Sequence, residues 1–236
     1  MNERLLDKRD LAYDGIADEW HTFIDGYDTR RRIEVLIHDF LANISLSGSR
    51  VIEIGAGLGH FTQALLASQP LSLTATDIAP ALTERLRALF PEVRVVCADL
   101  LNSHADVGAP FDLVFCSEVV EHTPDPLLAI ERLCALVAPN GLLVISTPNS
   151  RWRWLLSLAV RAGLRKRYEG YENWVSAGEL HRAVERSGLT VIREEGIHVL
   201  PWHVIPKSLL RRADEAVRKV SFGLSVNLAL LARRFE

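Results

Sequence analysis

The chain has 236 residues, of which 48% are hydrophobic and 24% are charged, and its formal net charge at pH 7 is −3. This length suits one α/β domain, and the weakly negative charge argues against general affinity for nucleic acids. The chain begins with charged residues and has no run of 18 apolar residues, so we expect a cytoplasmic protein without a membrane span. The three cysteines, Cys97, Cys116 and Cys134, lack metal-ligand spacing and are expected to be buried free thiols.

Residues 1–47 are predicted to form a helical cap over the domain. The apolar pattern indicates a helix near 30–43, and three consecutive arginines, Arg30, Arg31 and Arg32, stand at its start. Without further information, these arginines are compatible with a solvated basic turn.

Residues 48–147 alternate between strands and helices, which predicts a doubly wound, mostly parallel sheet with helices on both faces. The strands are predicted at 50–55, 71–76, 93–98, 111–117 and 142–147. Helices are predicted near 59–68 and 80–90. A third helix should begin after the fourth strand, where Asp125 can cap the first turn and Pro126 fits its first position.

The stretch from Val51 to His60 is the most informative part of this core. It combines a buried strand with a turn in which Gly55, Gly57 and Gly59 alternate with other residues. Glycines in such a turn let the backbone pass close under a ligand. The spacing is Gly-x-Gly-x-Gly, whereas a dinucleotide-binding turn requires Gly-x-Gly-x-x-Gly, so the ligand is expected to differ from a dinucleotide.

Acidic residues follow three of the predicted strands at the edge where a ligand would lie. Glu53 precedes the glycine turn, Asp77 ends the second strand and Asp99 ends the third. Three carboxylates would repel a pyrophosphate, and the turn carries no Lys or Arg. They suit a ligand with a sulfonium, an ammonium, ribose hydroxyls and an adenine amine. S-adenosylmethionine has all of these, with Asp77 placed to accept from the ribose and Asp99 placed to face the adenine.

Residues 148–175 form an insertion. Its segment 151–167 carries six basic residues and two tryptophans, and as a helix it would gather apolar side chains on one side and arginines on the other. We expect either a lid over the active site or a helix that lies on an anionic membrane surface, which would suit a lipid-linked acceptor. Three aromatic residues that could line an apolar acceptor pocket follow directly: Tyr168, Tyr171 and Trp174.

Residues 176–236 are predicted to complete the domain with a helix and two strands. Ser176 and Glu179 have the spacing of a capping box, which indicates a helix start. Thr190–Val199 and Val226–Arg233 are predicted to be the two final strands; that they finish the sheet as an antiparallel edge pair is implied only by the family resemblance described next.

Several of these stretches, in this order, resemble the class I S-adenosylmethionine-dependent methyltransferases. They are residues 51–59, 76–78, 97–100, 111–126 and 136–149. The run Glu121-His122-Thr123-Pro124-Asp125-Pro126 is most similar to the ubiquinone-biosynthesis O-methyltransferases and their small-molecule relatives. The resemblance is close over residues 25–147, and it implies a single Rossmann-like domain whose seven-stranded, mostly parallel sheet has an antiparallel last strand.

The resemblance also implies contacts to the cofactor beyond the acidic residues. In relatives, an arginine in the N-terminal region contacts the carboxylate of the cofactor's methionine moiety, and Arg32 is the match that we favour. Ser117 corresponds to a position that touches the cofactor through its backbone. The other expected cofactor contacts lie in the matched motifs: Gly55, Gly57, Ile78 and Leu100.

His122 is the first candidate for a general base. Methyl transfer needs the acceptor in line with the sulfur–methyl bond, and a base would increase the fraction of a hydroxyl acceptor that is an oxyanion. His122 follows the fourth strand, at the edge where open α/β sheets bind ligands; alternatively, it only orients the loop. Glu121 could orient His122 or bind a metal with Glu118, but no dense ligand cluster accompanies them, so no metal is predicted. His203 is the second candidate.

The sequence therefore favours a methyltransferase that acts on a hydroxyl of a small molecule such as a quinone precursor, a phenolic natural product or a sugar. Lipid-linked or nucleotide-linked sugars, and N- or C-methylation, remain compatible with it. A nucleic-acid amino-methyltransferase is disfavoured because no Asn/Asp-Pro-Pro-aromatic motif follows the fourth strand. A nicotinamide oxidoreductase is disfavoured by the glycine spacing, and a non-catalytic S-adenosylmethionine-binding regulator is the alternative of another class.

Overall fold

The computed structural model describes residues 26–102, 107–108, 110–161, 163, 170–200 and 206–236. Within these residues, seven strands form a mixed sheet. The strands are β1 (Arg50–Ile54), β2 (Ser72–Asp77), β3 (Arg94–Cys97), β4 (Phe111–Ser117), β5 (Val137–Pro148), β6 (Thr190–Ile197) and β7 (Asn227–Arg233).

The strand order is β3-β2-β1-β4-β5-β7-β6. Strands β1 to β5 pair in parallel, whereas β7 runs antiparallel to both of its neighbours, β5 and β6. The predicted fold class, a mostly parallel seven-stranded sheet with an antiparallel last strand, is confirmed. The order reverses between β1 and β4, and the carboxyl ends of strands on either side of such a point flank a crevice that can receive a ligand.

Helices cover both faces of the sheet. They are α1 (Gly26–Ile33), α2 (His60–Leu66), α3 (Pro80–Leu89), α4 (Pro126–Ala135), α5 (Arg153–Arg161), α6 (Ala177–Arg186) and α7 (Lys207–Val217). A π-helical segment, Glu34–Asp39, extends α1, and short 3₁₀ turns occupy Val120–His122 and Ser150–Trp152.

The core has two layers because successive residues of a buried strand point to opposite faces. On one face, Val51 and Leu113 pack with Leu65 of α2. On the other, Ile52 packs with Ile130 of α4. A parallel sheet covered on both sides needs such continuously apolar strands, which explains why β1, β4 and β5 have little polar–apolar alternation.

The predicted helix starts are confirmed in detail. The side chain of Asp125 accepts a hydrogen bond from the backbone N–H of Leu128 at 3.0 Å, and Pro126 occupies the first turn of α4. Both hydrogen bonds of the capping box between Ser176 and Glu179 are present at the start of α6. Two polar caps therefore fix where these helices begin.

Three boundaries differ from the prediction. The helix expected at 30–43 already includes Gly26, the first residue that the structure describes, and residues 1–25 of the predicted cap lie outside the described residues. The strand expected at 142–147 starts earlier, at Val137, because Val137 already pairs with Phe111 before the register shifts. Strand β6 ends at Ile197, since His198 adopts a left-handed conformation with φ of 58°.

Cys116 and Cys134 are buried and Cys97 is half-buried, and all three are free thiols. In the described part of the chain, no helix combines the length and apolar character needed to cross a bilayer. The insertion contributes α5, but residues 162 and 164–169, including Tyr168, lie outside the description.

Candidate functional site

A cavity opens at the carboxyl ends of β1, β2 and β4, beneath α1. All predicted site residues except Glu53 line it: Arg32, Gly55, Gly57, Asp77, Ile78, Asp99, Leu100, Ser117 and His122. Residues separated by up to 90 positions therefore meet at one edge of the sheet. His203, the second base candidate, lies outside the described residues.

The glycine turn links β1 to α2 and forms one wall of the cavity. Gly55, Gly57 and Gly59 all have positive φ, with values of 73°, 52° and 81°. A Cβ at Gly55 would collide with the side chain of Val119, and one at Gly59 would collide with Phe90. Two of the glycines are thus required by the backbone conformation and by the protein's own packing, in addition to any ligand above them.

Asp77 joins the glycine turn to the end of β2. One carboxylate oxygen accepts from the backbone N–H of Gly57 at 2.8 Å, and the other accepts from that of Ala79 at 3.0 Å. Asp77 also lines the cavity, and a carboxylate there can accept from a ligand's hydroxyl groups. The carboxylate fixes the shape of the turn while facing the site.

The far end of the cavity combines one acid with apolar side chains. Asp99 caps its own loop, accepting from the backbone N–H of Leu101 at 2.9 Å. Ile78, Leu82 and Leu100 line the cavity beside it. A flat aromatic base with an exocyclic amine fits a slot with apolar walls and a carboxylate at one side.

Glu53 does not line the cavity. It is buried beneath the glycine turn, where its carboxyl accepts a hydrogen bond from the hydroxyl of Thr62 at 2.5 Å. Burial raises the pKa of Glu53 to about 8, although the Thr62 hydrogen bond opposes this. At neutral pH the Glu53 carboxyl is therefore mostly uncharged. Of the three acids expected to present negative charge to the ligand, Asp77 and Asp99 line the cavity.

Arg32 enters the cavity from α1 in a fixed orientation. Its guanidinium donates to Asp28 through Nε at 3.1 Å and Nη2 at 2.6 Å, and to Ser117 Oγ through Nη1 at 3.0 Å. Thr29, one turn earlier on the same helix, also lines the cavity, and its buried hydroxyl has no hydrogen-bond partner among the described residues. A cation and an unpaired hydroxyl side by side suit a carboxylate.

His122 lies in the 3₁₀ turn after β4 and faces the cavity. Its Nδ1 is 3.0 Å from the backbone carbonyl oxygen of Tyr171. A carbonyl oxygen can only accept, so the proton of a neutral imidazole is held at Nδ1 and the lone pair is left on Nε2. The geometry provides a base with a defined tautomer.

Two glutamates lie near His122, of which Glu118 is half-buried and Glu121 is buried. Glu118, in a left-handed conformation, lines the cavity, and its carboxyl accepts from Ser146 and Asn227. Burial and the neighbouring Glu121 raise the pKa of Glu118 to about 8. Glu121 accepts from Thr147, and burial raises its pKa to about 7. Among the described residues, no group of three or more His, Cys, Asp or Glu is arranged to hold a metal ion.

Sequence reasoning did not identify Thr29 and Glu118 as residues lining this site. Helix periodicity could have indicated Thr29, which shares a face with Arg32 three positions later. Nothing local in the sequence indicates that Glu118 turns into the cavity. None of the described residues of α5 lines the cavity, and neither does Tyr171 or Trp174.

The residues present fit S-adenosylmethionine. The fit rests on the unpaired hydroxyl of Thr29 beside the Arg32 guanidinium, on the Asp77 carboxylate facing the cavity, and on the apolar slot next to Asp99.

Comparisons with known proteins agree with this geometry. Residues 26–194 match the family described as methyltransferase domain. The chain is 33% identical over 171 residues to a ubiquinone biosynthesis O-methyltransferase of Xylella fastidiosa (strain M23), covering 67% of this chain and 68% of that one. It is 30% identical over 216 residues to the protein of the same name from Neisseria meningitidis serogroup C (strain 053442), covering 86% and 89%.

A solved structure shares the fold. It is the N-methyltransferase NodS from Bradyrhizobium japonicum WM9 in complex with S-adenosyl-L-homocysteine, with a TM-score of 0.66, 19% identity, and 98% of this chain and 100% of that chain covered. Because the family match spans most of the described chain, the protein belongs to the methyltransferase domain family and is an enzyme of that family.

Proposed function

We propose that the protein transfers the methyl group of S-adenosylmethionine to a hydroxyl of a small-molecule acceptor. The cofactor supplies an activated methyl group on a sulfonium. Arg32 and Thr29 hold its carboxylate, Asp77 accepts from its ribose, and Asp99 faces its adenine between Ile78 and Leu100. The protein's task is then to orient the reactants and exclude water.

The observation that carries the proposal is the orientation of His122. His122 lines the cavity and its Nδ1 is held by the carbonyl of Tyr171, so in this proposal Nε2 of the neutral imidazole takes the proton of the acceptor hydroxyl. The Glu121 carboxyl, whose Oε1 is 3.9 Å from Nε2, then lies next to the imidazolium that forms. This arrangement serves an acceptor that must lose a proton, as a phenol does.

The curated relatives support the same class of reaction, since those from Xylella and Neisseria are named O-methyltransferases. A quinone precursor, another phenol or a sugar hydroxyl each meets the chemical requirement of an ionisable or activated oxygen. An amine acceptor is the second candidate, and it would not need a base once deprotonated in solution.

The base assignment is tested by replacing His122 with alanine. Single-turnover methyl transfer to a catechol acceptor should slow by about 10²–10⁴-fold, with S-adenosylhomocysteine affinity unchanged. His181→Gln is the matched control, because His181 lies on α6 between Glu185 and Glu194 and does not line the cavity. A rate for His122→Ala within a factor of about three of the wild type would exclude His122 as the base. Transfer to amines but not to phenols would instead favour the second candidate.

We further propose that the insertion contacts an anionic membrane surface. On α5, the side chains of Trp154 and Leu158 are 64% and 54% exposed. Arg151, Arg153 and Arg161 are exposed on the same segment. Exposed apolar groups bordered by cations favour the interface of an anionic bilayer and would bring the site close to a lipid-linked acceptor. Co-sedimentation at low salt should show binding to vesicles rich in phosphatidylserine and none to neutral vesicles, and equal recovery with both would reject this contact.

A further inference from the structure

The orientation of Arg32 depends on a single carboxylate. Asp28 Oδ2 accepts from two of the three guanidinium nitrogens, Nε and Nη2, and the third donates to Ser117. Asp28 is one turn before Arg32 on α1, and both side chains are almost completely buried. Any displacement of the Asp28 carboxylate would therefore redirect the guanidinium within the cavity.

Asp28 is in turn held by a residue from the other end of the chain. His198 Nε2 lies 2.9 Å from Asp28 Oδ1, although the two residues are 170 positions apart. His198 is completely buried and does not line the cavity. Its φ of 58° is unfavourable for a residue with a Cβ and persists only where surrounding contacts fix it. Here the backbone N–H of Val226 donates to the His198 carbonyl at 2.8 Å.

A second carboxylate lies on the other side of the imidazole. Asp214 of α7 places Oδ2 3.5 Å from His198 Nδ1, and its Oδ1 accepts from the backbone N–H of Val199 at 2.7 Å. Carboxylates can only accept, so an imidazolium with protons on both nitrogens matches both neighbours, whereas a neutral imidazole can satisfy one.

The electrostatics agree with this geometry. Burial by itself lowers the pKa of His198, but the neighbouring carboxylates of Asp214 and Asp28 raise it above its usual value. Burial would raise the pKa of Asp28, but Arg32 and His198 lower it to about 2. The titratable and charged groups facing His198 or its two carboxylates come from α1 and α7: Tyr27, Asp28, Arg31, Arg32, Asp214 and Glu215.

We infer that His198 is a positioning residue: as an imidazolium held between Asp28 and Asp214, it fixes Asp28, and Asp28 aims Arg32 at the carboxylate of the methyl donor. This inference rests on the proposed function, in which Arg32 binds that carboxylate. It makes donor binding depend on pH through a group outside the site. Affinity is full while His198 is protonated and falls as pH rises through its raised pKa.

The test compares two ligands that differ in the group Arg32 would bind. S-adenosylhomocysteine carries the amino-acid carboxylate, and 5′-methylthioadenosine lacks it. His198→Gln should weaken S-adenosylhomocysteine binding about tenfold and leave 5′-methylthioadenosine binding unchanged, as measured by calorimetry. A merely structural role would weaken both ligands equally, which would overturn the inference. His181→Gln is the control, because His181 also lies between two carboxylates but is only half-buried and does not line the cavity.

The pH profile gives a second readout. Between pH 6 and pH 9 the affinity of the wild type for S-adenosylhomocysteine should fall, whereas the affinity of His198→Gln should depend less on pH. Ionisation of the ligand itself affects both proteins equally, so the difference between the two profiles reports on His198. If His198→Gln does not fold, Asp28→Asn should show the same ligand-selective loss, and identical losses for both ligands would again reject the idea. A wild type that binds neither ligand would refute the proposed function itself, whereas normal binding with an unaffected variant refutes only the role of His198.

Discussion

Two regions around the cavity are built in different ways. The region proposed to bind the methyl donor, called the donor half, comprises residues 53–60, 76–82 and 98–100. The region proposed to serve the acceptor, called the acceptor half, comprises residues 117–123 at the cavity and the segments 149–161 and 170–175, whose described residues do not line it. Neighbouring strands hold the donor half together, since the backbone N–H of Gly57 donates to the Asp77 side chain and that of Ala98 donates to the Asp77 carbonyl. These hydrogen bonds join the ends of adjacent parallel strands.

The acceptor half is held by contacts between loops. Asn173 donates through its side chain to the Thr123 carbonyl at 2.9 Å and through its backbone to the Glu121 carbonyl at 2.8 Å. His122 is held by Tyr171 in the same way. The difference shows how one fold can keep a constant donor site while its acceptor site varies: the loops can change without disturbing the strand ends that shape the glycine turn.

The largest effect should come from the glycine turn. Gly55→Ala introduces a Cβ at positive φ and against Val119, which should destabilise the protein by about 2–5 kcal/mol. Gly48→Ala is the control, because Gly48 has φ of 82° but nothing within 4 Å of the added Cβ, so it should cost only about 1–2 kcal/mol. Urea unfolding measures the free energy of unfolding of both variants. Equal losses would show that the glycine turn accommodates the added Cβ beside Val119.

The donor half could be predicted because its residues lie in short contiguous motifs. Gly55, Gly57, Asp77 and Asp99 each end or follow a strand, and parallel strands bring such residues to one edge. Glu53 was placed wrongly among the cavity residues because it precedes the turn within β1, where side chains alternate between faces, and its face packs on α2.

The acceptor half and the support of Arg32 were harder to predict. The contact between His198 and Asp28 spans 170 positions and depends on how β6 and α7 meet α1. No local sequence pattern predicts a contact between elements so far apart in the chain. The tautomer of His122 likewise depends on the carbonyl of Tyr171, which belongs to the inserted segment.

The dependence of stability on pH should reveal the ionisation of Glu53, the buried acid of the donor half. The pKa of Glu53 is raised from an ordinary 4.5 to about 8 in the folded state. Its stabilising contribution is therefore fully present below pH 4.5 and is lost as pH rises through 8. The wild-type Tm should fall between pH 4.5 and pH 8, and Glu53→Gln, which keeps an acceptor for Thr62, should reduce that fall. Glu131→Gln on the exposed face of α4 should leave the profile unchanged, and a Glu53→Gln profile as steep as the wild type would contradict the assignment.

A smaller effect is expected from the carboxylates that face the donor. Asp77→Asn removes the charge that accepts from Gly57 and Ala79, so S-adenosylhomocysteine affinity should fall by about 10–100-fold. Asp99→Asn affects one backbone hydrogen bond, to Leu101, and should cost less than about tenfold. Calorimetry measures the affinity of both variants for S-adenosylhomocysteine. A larger loss for Asp99→Asn than for Asp77→Asn would contradict the assignment of Asp77 as the stronger contact.

The smallest effect on folding and donor binding should come from the exposed side of the acceptor half. Replacing both Trp154 and Leu158 with serine removes side chains that are mostly in solvent, so stability should change by no more than about 0.5 kcal/mol. The affinity for S-adenosylhomocysteine should also be unchanged, whereas binding to phosphatidylserine vesicles should fall to the background level. Leu71→Ser is the control, because Leu71 is 70% exposed at the start of β2, away from α5, and should leave vesicle binding intact. A double variant that loses stability instead would mean that α5 packs onto the protein, as a lid does, and that the acceptor half is more rigid than its loop contacts indicate.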